Sequence, residues 1–162
     1  MNKAPWLKDF GTSNFLQFIL ARALAEGVYD RHLPVIAAAY RRKRDAMVEA
    51  IRSAFPNTVD VGQASRLSTA CKWTGETPVL RFNKPRGGMY VWVQLDPRMK
   101  TGMKSALFKR ALKAGVLYVP GDLCFCVDPT RPVPRNCIRL SFGSPTVQQI
   151  QKGIRLLANA LD

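Results

Sequence analysis

The sequence has very few of the residues that most often build catalytic and metal sites. Its 162 residues include one histidine, His32, and only eleven acidic residues. None of the spacing motifs of zinc proteases, phosphate-binding loops or serine hydrolases occurs, and no pair of carboxylates forms a recognisable acid–base motif. His32 follows Asp30 and Arg31 without another metal-ligating neighbour. We therefore expect no metal site and interpret His32 as a hydrogen-bonding residue near the start of a helix.

The four cysteines are spaced as in neither a zinc site nor a disulfide framework. Cys124 and Cys126 are separated by one residue, Cys71 is isolated and Cys137 lies in an alternating apolar run. This usage is typical of buried, reduced thiols in a cytosolic protein. No apolar run reaches the ~18–20 residues of a membrane span, and the first residues lack the apolar segment of a signal peptide. We expect a cytoplasmic protein with no membrane partner.

Positive charge is abundant, in contrast to these absences. Twenty-five Lys and Arg residues against eleven acidic ones give a formal net charge of +14. A basic balance favours nucleic acid, anionic lipid or an acidic substrate, but a basic surface that only keeps the chain in solution explains it equally well. A nucleic-acid-binding domain therefore remains an alternative. The position of Tyr90 and Trp92 in a strand with a core-like pattern argues against a base-stacking platform, so we expect no nucleic-acid partner.

The hydrophobic pattern predicts a two-layer α+β domain. The predicted sheet is small and mostly antiparallel, with three to four strands and helices packed on it. The strand over 89–95 is apolar on both faces, so we expect it to be central and covered on each side. Helices are predicted over 15–26, 34–55, 103–114 and 145–161, strands over 79–82, 89–95, 116–119 and 137–142, and a long loop with at most a short strand over 57–78.

Arg139 is the most informative candidate for binding chemistry. In its strand, Ile138, Leu140 and Phe142 alternate with it and should face the core. Arg139 then points to the opposite side between Cys137 and Ser141, whose small side chains leave room for a ligand. A guanidinium binds a carboxylate through two parallel hydrogen bonds. The pattern alone leaves the alternative that Arg139 simply faces solvent, because alternation always places polar residues outward.

Several segments together resemble the class I/II aminotransferases, the pyridoxal-phosphate enzymes of fold type I. Residues Gly87-Gly88-Met89-Tyr90-Val91-Trp92 resemble that family's G-G-(M/F)-(F/Y)-x-W strand. Similar stretches follow in the family's order at 114–125, with Pro120-Gly121 and Phe125, and at 138–142, which resembles its (I/L)-R-L-S-F strand. Residues 11–14, 29–33 and 40–45 resemble the segment that leaves the large domain. The closest branch is the aminoadipate and kynurenine aminotransferases.

This resemblance implies a role for each matched site residue. Arg139 would bind the α-carboxylate of the substrate, an amino acid or a 2-oxo acid. Thr12, Ser13 and Asn14 would line the pocket or the interface of a homodimer, and Phe125 would border the entrance. The parent enzyme would use pyridoxal 5'-phosphate to transfer an amino group between these substrates.

The resemblance also implies what this chain does not supply. The family's Schiff-base lysine and the acidic partner of the cofactor lie upstream of the matched segments. Lys3 and Lys8 lack the family's Ser-x-x-Lys context, so we assign no catalytic residue and expect no cofactor on this chain alone. We expect residues 1–30 to lead from a missing large domain and residues 31–162 to form the small C-terminal domain, inactive by itself. The alternative function is a non-catalytic dimerisation or binding module.

Overall fold

Two helices open the described part of the chain. The computed structural model describes residues 13–56, 58–60, 80–126, 128, 130 and 132–161. Helix α1 comprises Asn14–Ala25 and helix α2 comprises Val28–Ala54. Gly27 joins them with a φ of 65°, a left-handed conformation that glycine adopts without strain. The chain divides into two compact units, Met1–Ala39 and Tyr40–Asp162, at a point inside α2. We expected residues 1–30 to lead from a large domain and residues 31–162 to form the small domain. This expectation stays a prediction.

The expected start of α2 was wrong. We predicted a helix beginning at about Pro34, with the proline in its first turn, whereas α2 begins six residues earlier, at Val28, and contains Pro34. A proline removes one backbone N–H donor from the helical ladder but does not abolish the bonds on either side of it. The helix of 27 residues therefore continues past Pro34, although one backbone N–H donor is missing there.

The sheet has five strands in the order β1-β2-β3-β5-β4. The pairs β2·β3, β3·β5 and β4·β5 are antiparallel and β1·β2 is parallel. The α+β fold and the mostly antiparallel sheet are confirmed, but the expected count of three to four strands was too low. The additional strand, β1, has two residues and lies in the predicted loop, where so short a segment carries no periodicity. The strands are β1 Val59–Asp60, β2 Arg81–Phe82, β3 Tyr90–Gln94, β4 Val119–Pro120 and β5 Cys137–Ser141.

The core lies between one face of this sheet and three of the helices. Helix α3 comprises Ala106–Lys113 and helix α4 comprises Val147–Leu161. Val91 and Val93 of β3, together with Ile138 of β5, are fully buried on the core face. The helices contribute buried apolar residues from α2, α3 and α4, namely Met47, Val48, Ile51, Leu107, Ala111, Ile150, Ile154, Leu157 and Ala160. No helix within the described ranges is long and apolar enough to cross a membrane.

The other face of the sheet is only partly covered. Tyr90 is 43% exposed and Trp92 is half-buried, although both alternate with fully buried valines of β3. The central position of β3 is therefore confirmed, but the expectation that it is covered on both sides was wrong. We call the surface formed by Tyr90, Trp92, Arg139 and Ser141 the open face.

A buried hydrogen-bond network fixes the loop after β3 to β5. The hydroxyl of Thr101 donates to the carbonyl oxygen of Cys137 at 2.7 Å, and its backbone N–H donates to Arg135 O at 2.9 Å. The hydroxyl of Tyr118 donates in turn to Thr101 O at 3.0 Å. Because Thr101 is fully buried, these bonds replace hydration of its polar groups, and they hold the segment before β4 against β5.

Candidate functional site

Arg139 lies at the centre of β5, between two paired strands. It is directly opposite Trp92 on β3 and Val119 on β4, so the three side chains share the open face. Its neighbours Ile138 and Leu140 are buried on the core face, as the alternation predicted. The core residues of β5 therefore determine to which side of the sheet the guanidinium points.

The guanidinium of Arg139 has no hydrogen-bonding partner in the described part of the chain. Its Nε is buried without an acceptor, and no carboxylate forms an ion pair with the side chain there. Its recorded contact is with the ring of Tyr90, whose centroid lies 4.4 Å from Cζ. A buried donor without an acceptor costs about 1–3 kcal/mol. An incoming carboxylate would remove that cost, so the geometry favours Arg139 as an anion-binding residue.

An aromatic pair lies beside this arginine. The rings of Trp92 and Phe125 meet edge to face, with centroids 5.6 Å apart. Phe125, which follows the short 3-10 helix Gly121–Cys124, remains 41% exposed. The structure thus places Phe125 against the residue directly opposite Arg139. Its expected place at the border of the pocket stays a prediction.

The structure gives Gly121 a packing role against β5. A Cβ at this position would lie 2.5 Å from Cys137 Cβ and 2.7 Å from Cys137 O. Only glycine therefore lets the 3-10 helix lie directly on β5, two residues before Arg139. No pattern in the sequence distinguishes this close approach from an ordinary Pro-Gly turn.

The described cysteines are not all buried, contrary to our expectation. Cys137 is buried, and burial raises the pKa of its thiol to about 11. Cys124 and Cys126 are exposed, so the expectation of buried thiols was wrong for these two, which lie at the surface end of the 3-10 helix. Cys71 lies outside the described residues. No group of three or more metal-ligating side chains occurs in the described ranges.

The residues expected near a dimer interface lie at the start of α1. Thr12 is outside the described residues. Ser13 precedes α1, and its side chain makes no capping hydrogen bond. Asn14 is the first residue of the helix, and both are exposed. These residues belong to the N-terminal unit, and their expected role stays a prediction.

The open face lacks the groups that hold pyridoxal phosphate. Its positions on β3 and β5 carry aromatic, small and guanidinium side chains, with no lysine and no carboxylate. Two lysines elsewhere in the described part of the chain are engaged: Lys43 Nζ donates to Gly143 O at 2.8 Å, and Lys84 pairs with Asp45. The arrangement can bind a carboxylate, but the open face has no lysine to hold a covalently bound cofactor.

Comparison with known proteins identifies similar chains. The chain is 32% identical over 153 residues to the aromatic-amino-acid aminotransferase 1 of Thermococcus litoralis, covering 94% of this chain and 30% of that protein. It is 29% identical over 153 residues to the 2-aminoadipate transaminase of Thermus thermophilus, covering 94% of this chain and 31% of the relative. No family model matches the chain.

Solved structures agree with these relatives. The crystal structure of the Pyrococcus horikoshii kynurenine aminotransferase, in complex with PMP, superposes with a TM-score of 0.71 at 28% sequence identity. The match covers 96% of this chain and 32% of that one. The chain thus spans about a third of the length of the proteins that it matches.

Proposed function

Because the chain is homologous to the C-terminal, small-domain part of the pyridoxal-phosphate-dependent aminotransferases, we propose that it supplies the substrate-carboxylate arginine of such an enzyme. The parent reaction would transfer an amino group between an amino acid and a 2-oxo acid. One observation carries the proposal: the guanidinium of Arg139 lies on the open face without an acceptor among the described residues.

The chemistry of the substrates explains why one arginine is sufficient for both directions. An amino acid and a 2-oxo acid differ at Cα, but both carry the same α-carboxylate. A guanidinium that grips this carboxylate through two hydrogen bonds holds Cα at a fixed position in both half-reactions. Such orientation holds the substrate in a geometry suited to reaction. The same residue would bind both the amino-group donor and the amino-group acceptor.

Pyridoxal phosphate, when bound to the parent enzyme, supplies an electron sink for the reaction at Cα. The open face has no lysine and no carboxylate to hold it, so we assign to the chain only substrate binding and orientation. We further infer that the 162 residues alone do not turn over, and that the cofactor site belongs to a large domain.

A titration with acetate tests the arginine directly. We expect acetate to shift the Arg139 Nε–Hε resonance in a saturable way, and acetamide, which lacks the charge, to leave it unchanged. Acetate should also shift backbone amide signals of β5 in the wild type, and the variant R139Q, which lacks the side-chain resonance, should lose these shifts. The matched control R86Q removes an exposed arginine and should bind acetate like the wild type. Equal acetate binding by R139Q and the wild type would refute the proposal.

Addition of pyridoxal phosphate tests the inferred absence of a cofactor site. After gel filtration, the chain should retain no visible absorbance from lysine-bound cofactor. A stoichiometric band that survives gel filtration would contradict the inference, because it would show a reactive lysine within these 162 residues.

A second candidate function, a dimerisation module, is favoured by the surface of α1. None of its residues is buried, and the large apolar side chains Phe15, Leu16, Phe18 and Leu20 are 59–71% exposed. Apolar surface on this scale favours association with a partner. Sedimentation equilibrium should show a homodimer that F18S weakens, whereas a monomer at high concentration would refute this candidate.

A further inference from the structure

The ring of Tyr90 lies against the guanidinium of Arg139. The two residues lie on adjacent strands: Tyr90 is paired with Ser141, two positions beyond Arg139 on β5. This diagonal relation is within reach of a long side chain on the same face. The guanidinium carbon lies 4.4 Å from the centroid of the Tyr90 ring, well inside the range of a cation–π contact.

We propose that Tyr90 is the positioning residue of the carboxylate site. Its ring fixes the orientation of the Arg139 guanidinium, so that the N–H groups remain available to a ligand. The proposal deepens the proposed function and rests on it.

The type of contact explains why an aromatic ring suits this task. A carboxylate side chain would orient Arg139 through its N–H groups and would therefore compete with a substrate carboxylate. A ring attracts the cation through its face instead, while carboxylates bind guanidinium in its own plane. Tyr90 can thus hold Arg139 without occupying the donors that the ligand needs.

Other neighbours do not offer this contact. Trp92 lies directly opposite Arg139, but its recorded ring contact is the edge-to-face pair with Phe125. Arg139 also makes no hydrogen bond that would fix its side chain within the described residues. The ring of Tyr90 therefore provides a directional contact that restricts a side chain with several rotatable bonds.

Ordering the guanidinium before the ligand arrives should strengthen binding. Immobilising one such side chain costs about 0.5–1.5 kcal/mol on association, and a preorganised arginine avoids part of this cost. Removing the ring should weaken acetate binding by about two- to ten-fold. No hydrogen bond of the Tyr90 hydroxyl is recorded in the described part of the chain, so the ring rather than the hydroxyl should matter.

Two variants of the full 162-residue chain test the proposal by NMR. Y90L removes the ring and Y90F removes only the hydroxyl. R139Q assigns the Arg139 Nε–Hε resonance by its disappearance. In the wild type, the ring current of Tyr90 should move this resonance upfield of the other arginine signals. Y90F should keep the upfield position and the acetate affinity, whereas Y90L should lose the upfield position and bind acetate two- to ten-fold more weakly.

The possible failures can be distinguished. The upfield resonance is measured in the wild type and does not depend on Y90L, so misfolding of Y90L cannot imitate it. If Y90L binds acetate as tightly as the wild type, Tyr90 has no positioning role, although the carboxylate site stands. If the wild type does not bind acetate at all, the site itself is refuted and the positioning role with it, even where the upfield shift persists.

Discussion

Replacing Gly121 with alanine tests the packing that places the 3-10 helix on β5. The new Cβ would lie 2.5 Å from Cys137 Cβ, 2.7 Å from Cys137 O and 2.8 Å from its carbonyl carbon. Carbon atoms in contact normally lie about 3.5–4.0 Å apart, so the two segments must separate by about 1 Å. Cys137 belongs to a strand paired on both sides, and its backbone cannot move away easily.

Overpacking of this kind typically costs about 1–3 kcal/mol. We therefore expect G121A to lower the free energy of unfolding by that amount. Urea denaturation followed by far-ultraviolet circular dichroism measures the change, which should appear as a lower midpoint with an unchanged slope. Because β4 immediately precedes Gly121 and pairs with Arg139, the variant should also weaken acetate binding.

G153A provides a matched control, for which we expect the free energy of unfolding to change in the opposite direction. Gly153 lies inside α4, and nothing is within 4 Å of a Cβ built there. Alanine in a helix interior is favoured over glycine by about 0.5–1 kcal/mol, so G153A should stabilise the chain. If G121A is as stable as the wild type while G153A behaves as expected, the close contact between the 3-10 helix and β5 is refuted.

Further predictions concern the core, a thiol and a carboxylate. F142A should lower the free energy of unfolding by about 3–5 kcal/mol, because Phe142 is 1% exposed, whereas L117A, at 73% exposure, should change it by less than about 0.5 kcal/mol in urea denaturation. Iodoacetamide should modify Cys126 in the native chain but Cys137 only after unfolding, because burial raises the pKa of Cys137 to about 11; peptide mapping that finds both modified equally would contradict this. Hydrogen bonds from Arg98 lower the pKa of Asp96 below 3.8, so its stabilising contribution is complete above about pH 4 and is lost as the pH falls through the folded-state pKa. D96N should therefore show a smaller loss of stability on acidification than the wild type, and identical acid profiles would refute this role.

The sequence predicted the orientation of β5 because its alternation is strict. Ile138, Leu140 and Phe142 are all 6% exposed or less, so the apolar positions specify one face and leave Arg139 on the other. The same reasoning failed for β3, where Tyr90 and Trp92 are apolar enough to indicate burial. Residue type indicates that a side chain tolerates burial, but it does not identify which element covers it. In the described part of the chain, Tyr90 and Trp92 are only partly covered.

Close contacts between distant segments could not be predicted from local pattern. Gly121 approaches Cys137 across sixteen positions, and Tyr90 contacts Arg139 across forty-nine. The first contact follows the pairing of β4 with β5, and the second requires the non-consecutive strands β3 and β5 to lie side by side. Sequence spacing specifies which residues share a face of one strand, but only the register between strands determines which of them meet. The contact of Tyr90 with Arg139 was therefore accessible only from the structure.

Packing in the core and contacts on the open face together determine where Arg139 points. A slip of β5 by one residue would turn Ile138, Leu140 and Phe142 away from the core, and burial of such side chains is worth about 1.5–3 kcal/mol each. The combined loss, about 4.5–9 kcal/mol, is comparable with the whole stability of a typical domain. Packing on the core face thus fixes the side of the sheet from which Arg139 projects. It does not determine the conformation of the side chain beyond Cβ. The direction within the open face is left to its contacts there, and the ring of Tyr90 is the contact that the structure supplies. A substitution in the core should therefore reduce stability and carboxylate binding together, whereas loss of the Tyr90 ring in Y90L should reduce binding alone.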